Sequence, residues 1–72
     1  MANGKDMHPR ALRAASAALD RELQALAAEQ GGYVHRFPDG KLSLELEWVC
    51  SVGLARAAIR AYLGELEDAD EN

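Results

Sequence analysis

Apolar positions form three patterns along this chain, and each predicts a different element. From about Met7 to Gln30 they recur at helical spacing: Leu12, Leu19 and Leu26 stand seven apart, and Leu23 joins their face. At 100° per residue these leucines fall within about 60° of arc, the stripe of an amphipathic helix. Ala15 and Ser16 flank the stripe and allow close approach, and the many alanines favour helix at little entropic cost. Asp6 is the expected N-cap, Pro9 is tolerated in the first turn, and Gly31 and Gly32 stop the helix.

The middle pattern has period two. Leu42, Leu44, Leu46 and Trp48 point one way, and Ser43, Glu45 and Glu47 the other, as in a half-buried strand. Pro38-Asp39-Gly40 before it is a turn signal, so Tyr33 to Trp48 reads as a β-hairpin. Two registers compete. With Asp39-Gly40 as a two-residue loop, Tyr33 and Phe37 share the leucine face. With Pro38-Asp39-Gly40 as a bulged three-residue loop, Val34 and Arg36 share it, and Tyr33, His35 and Phe37 go to the far side. Burial of two aromatic side chains, about 1.5–3 kcal/mol each, favours the two-residue form, which is the register expected.

The third pattern begins near Cys50 or Ser51, with Ser51 as N-cap. Val52, Ala55, Ile59, Tyr62 and Leu66 are spaced three and four apart, a packing seam widened by Leu63. Arg56 and Arg60 lie one turn apart beside it, and the helix is expected to fray near Glu67. The fold class is therefore α+β, helix–β-hairpin–helix.

A chain of 72 residues is one domain at most, and a domain this small is marginally stable alone. Cys50 is the only cysteine, so no internal disulfide can help, and His8, His35 and Cys50 are too scattered for a four-ligand metal site. Association remains. A homodimer is expected, completed by edge pairing into a four-stranded antiparallel sheet or by helix seams packed across a two-fold axis. Its core and interface draw on Leu12, Leu19, Leu23, Leu26, Leu42, Leu44, Leu46, Trp48, Ile59, Tyr62 and Leu66.

Charge is unevenly placed. Residues 1–63 carry eight basic and seven acidic side chains, whereas Glu65, Glu67, Asp68, Asp70 and Glu71 make the end acidic, for a net charge of -4. The expected organisation is a flexible segment 1–6, a single domain 7–67 and an acidic, disordered tail 68–72. No stretch approaches a membrane span and the first residues lack a signal-peptide core, so a cytoplasmic setting is expected. Richness in Ala, Arg, Leu and Glu accords with a GC-rich bacterial or phage source.

Candidate chemistry is thin. Cys50, at a strand-to-helix junction, reads as a small buried apolar residue rather than a nucleophile. His35 reads as a half-buried spacer, His8 as a flanking residue, and Glu45 and Glu47 as a solvated strand face. With no phosphate loop, Ser-His-Asp set or zinc pattern, the chain reads as a non-enzyme without a cofactor.

Leu54 to Leu63, Leu-Ala-Arg-Ala-Ala-Ile-Arg-Ala-Tyr-Leu, resembles the second helix of ribbon–helix–helix repressors, where an Ile-Arg-x-Tyr-Leu ending is frequent. The resemblance implies a dimer with a strand of each chain in the DNA major groove, a place Lys41 to Glu47 would take. That family needs a helix between its strand and this one, and Trp48 to Ser51 leaves no room. Ser43, Glu45 and Glu47 would also face the phosphates. The similarity is one of helix chemistry.

The expected function is that of a small regulatory protein which binds a protein partner as a homodimer, in the manner of phage-encoded or mobile-element inhibitors. Tyr33, Arg36 and Phe37 are the candidate partner-binding residues, since interface anchors favour aromatics and Arg. The alternative is a dimeric nucleic-acid-binding transcriptional regulator using Arg10, Arg13 and Arg21, which gather on one face of the first helix.

Overall fold

The computed structural model describes residues 7–70, with side chains to Asp68. Helix α1 spans Pro9–Gln30, strands β1 and β2 span Tyr33–Arg36 and Leu42–Glu45, and helix α2 spans Ser51–Asp70. The helix–hairpin–helix order expected from the hydropathy pattern is the observed one.

Local chemistry sets the helix ends. His8, not Asp6, caps α1: its Nδ1 accepts from the Ala11 N–H at 3.2 Å. Asp6 itself lies outside the described residues. At the other end Gly31 adopts φ +75°, a left-handed cap, and the Gly32 N–H donates to the Ala27 carbonyl at 2.9 Å. Cys50, not Ser51, caps α2. Its carbonyl accepts from Leu54 N–H at 3.0 Å and its Sγ from Gly53 N–H at 3.3 Å. The thiol is exposed, which corrects the expectation of a buried apolar cysteine. Helix α2 runs to Asp70, so residues 68–70 are helical where an irregular tail was expected.

The hairpin takes the bulged register, against the burial argument. Val34 pairs with Leu44 and Arg36 with Leu42. Phe37 N–H donates to Lys41 O at 2.9 Å, Gly40 N–H to Phe37 O at 3.0 Å, and Lys41 N–H to Asp39 Oδ1 at 3.0 Å. Only Gly40 then needs positive φ, +93°. The two-residue loop would have required positive φ at Asp39 as well, and would have moved Pro38 out of its favoured turn position. Strand β2 ends at Glu45, so Trp48 leaves the leucine alternation and is half exposed.

The helices lie antiparallel, with the start of α1 against the last turns of α2. His8 N–H donates to Tyr62 Oη at 2.9 Å, and Arg10 meets Glu65 at 3.7 Å. Further along, Ala18 of α1 and Ala57 and Ala61 of α2 line one groove, an alanine contact that permits close approach. Among the described residues the buried ones are Ala11, Ala18, Leu23, Leu26 and Ala27. The hairpin covers only the C-terminal half of α1, so Leu23 and Leu26 are buried, Leu19 is half-buried and Leu12 is open. Of the hairpin leucines, Leu42 and Leu46 are half-buried and Leu44 is more exposed.

Helix α2 buries only part of the expected seam: Tyr62 and Leu66 are half-buried, together with Leu54, Ala57, Ala58, Ala61 and Glu65. Val52, Ile59 and Leu63 of the supposed seam are 61%, 58% and 53% exposed. Ala57, Ala58 and Ala61 share the inner face with the larger Leu54, Tyr62, Glu65 and Leu66, and the stripe of Val52, Ile59 and Leu63 stays exposed.

Candidate protein-interaction surface

The bulged register sorts the hairpin into two unlike faces. Val34, Arg36, Leu42 and Leu44 share the side that meets α1. Arg36 reaches Asp20 of α1 at 3.0 Å, and Gln24 Nε2 donates to the Val34 carbonyl at 3.2 Å. Alternation in an antiparallel ladder directs the backbone groups of Val34 away from β2, so Gln24 occupies an acceptor on the outer edge of β1. That edge is thus partly taken up by α1, and β2 carries the freer one.

The far side carries Tyr33, His35 and Phe37, with Ser43 and Glu45 opposite. Tyr33 is 51% and Phe37 42% exposed. The His35 and Phe37 rings meet edge to face, with centroids 4.6 Å apart and planes at 83°, an arrangement that holds aromatic groups in a fixed orientation. Two aromatic rings and an imidazole thus stand in one row on an exposed strand face. Of the three partner-binding candidates, Tyr33 and Phe37 come together, while Arg36 lies on the opposite face in an ion pair.

One residue that sequence reasoning passed over organises the connector behind this surface. Gln30, the last residue of α1, donates from Nε2 to the Trp48 carbonyl at 2.9 Å, and its Oε1 accepts from Glu47 N–H at 2.8 Å and Trp48 N–H at 3.4 Å. A helix-terminal glutamine beside a glycine pair was the only signal. Gly32 serves the same junction: a Cβ there would overlap the Glu45 carbonyl oxygen.

The arginines of the alternative reading are unequally available. Arg10 is paired with Glu65. Arg21 borders the groove between the helices, but that groove also carries Glu22 beside Arg60. Among the described residues no cluster of three His, Cys, Asp or Glu side chains could hold a metal, and no helix is long and apolar enough to cross a membrane. The ribbon–helix–helix arrangement is absent from the described residues, because β2 leads into α2 with no helix between them.

No protein-family model matches the sequence, and no curated protein or solved structure matches it either.

Proposed function

We propose that this protein is a non-catalytic regulator that works as a homodimer and binds a protein partner through the outer face of its hairpin. The observation that carries the reading is the exposed row of Tyr33, His35 and Phe37, aromatic groups on a strand face whose opposite side is anchored to α1. Interface anchors are typically aromatic, rigid and central to a patch. Trp48 and Val49, both about half exposed, extend the apolar surface beyond the strands.

Open apolar surface supports the dimer: ten large hydrophobic side chains among the described residues are 42% exposed or more, and a second chain would cover part of them.

The test is cross-linking and affinity capture from source-cell lysate with the wild type and with a Tyr33→Ala/Phe37→Ala double variant. A discrete protein captured by the wild type and lost with the variant supports the reading. Capture that survives the double substitution contradicts it. Salt-sensitive retention of duplex DNA, lost on Arg13→Ala/Arg21→Ala substitution, would favour the nucleic-acid alternative.

A further inference from the structure

The side of α2 turned away from α1 carries a shallow hollow of about 550 Å³ lined by Arg56, Ile59, Arg60, Leu63, Gly64 and Glu67. These positions form two overlapping four-residue sets, 56, 59, 60, 63 and 60, 63, 64, 67. Each set has the zero, three, four, seven spacing of a hole that receives a side chain from a facing helix. Gly64 deepens the second: a Cβ built there meets nothing within 4 Å. Ile59 and Leu63, corners of these holes, also project as knobs, 58% and 53% exposed. The same helix thus offers both halves of a packing contact on one face.

The charges on this face are self-complementary as well. Arg56 stands at one end of the hollow and Glu67 at the other, and among the described residues no ion pair within the chain takes up either. When two copies of a helix pack antiparallel about a two-fold axis, each residue faces the one equally far beyond the centre. In the register centred between Ala61 and Tyr62, Ile59 faces Gly64 of the second copy, Leu63 faces Arg60, and Arg56 faces Glu67. One register therefore seats both knobs and closes two identical ion pairs.

We propose that this face is the homodimer interface, with α2 packed antiparallel on α2 of a second copy. The inference rests on the homodimer proposed above and names its surface. The resulting layer runs α1, α2, α2, α1, with the two hairpins at opposite ends and their outer faces free. Edge pairing of hairpins is not needed to complete the fold.

The experiment is sedimentation equilibrium on the full chain, with helix content followed by circular dichroism. It compares the wild type with Arg56→Glu, Glu67→Arg, the double exchange, and Gly64→Leu. Each single charge reversal should weaken dimerisation roughly tenfold or more, since it replaces two attractions by two repulsions. The double exchange should restore most of that loss. Gly64→Leu improves helix propensity and so cannot act through loss of helix, yet it fills the hollow and should raise the dimer dissociation constant at least tenfold. A dimeric wild type whose dissociation constant is unmoved by all four variants overturns this interface while leaving the dimer standing. A charge reversal that the double exchange does not rescue overturns the register. A wild type that is monomeric at every concentration overturns the dimer and the interface together.

Discussion

A few side chains hold the junctions of this small fold, and each can be tested alone. Gln30 bonds the backbone of both Glu47 and Trp48. Gln30→Ala should lower unfolding free energy by about 1–2 kcal/mol in urea titration; a change below about 0.3 kcal/mol would show that water replaces those bonds. At Gly32 an added Cβ meets the Glu45 backbone, which cannot swing aside. Gly32→Ala should therefore cost several degrees of melting temperature, whereas the same change at Gly64, open on all sides, should leave the isolated helix more stable. The Cys50 thiol accepts from Gly53 N–H. Cys50→Ser keeps an acceptor at the cap and should leave stability within about 0.5 kcal/mol, while Cys50→Ala should lose about 1 kcal/mol. A functional thiol would instead leave both variants inactive in a partner-binding assay. The caps were hidden in the sequence because His and Cys are uncommon there, and Asp6 and Ser51 were the better statistical choices.

Elements were more legible than their faces. Alternation at Leu42, Leu44 and Leu46, helical spacing at Leu19, Leu23 and Leu26 and again at Val52, Ala55, Ile59, Tyr62 and Leu66, and the glycine pair after Gln30 gave both helices and the hairpin in order. Register and inward face were not legible, for two different reasons. Hairpin register was decided by loop conformation, where one positive φ at Gly40 outweighed two aromatic side chains. Helix α2 has two apolar stripes, and the one that meets α1 mixes Ala57, Ala58 and Ala61 with Leu54, Tyr62 and Leu66, while Val52, Ile59 and Leu63 stay open. Hydropathy marked both stripes as apolar but could not say which one meets α1 and which one stays open. At this scale Tyr33→Ala/Phe37→Ala should leave the urea midpoint nearly unchanged, because neither ring is buried in the chain. A loss above about 2 kcal/mol would mean these rings hold the fold rather than await a partner.

At the scale of the molecule the balance of buried and open surface is the central fact. Leu23 and Leu26 are the only large hydrophobic side chains buried among the described residues, and ten others are 42% exposed or more. Burying a leucine contributes about 1.5–3 kcal/mol, so the internal core alone leaves little against the entropy of ordering two helices and a hairpin. The candidate site shares this logic. The row of aromatic residues and the outer stripe of α2 were recognisable in the sequence as apolar, but a sequence cannot say which apolar groups remain uncovered after folding. The account requires that a second chain cover one of these surfaces, and that stability depend on protein concentration. The most direct test is light scattering with circular dichroism across a dilution series from high to low micromolar. The account predicts a mass of twice 7.8 kDa that falls on dilution together with helix content. A helical monomer whose mass and ellipticity stay constant over the whole series would contradict it.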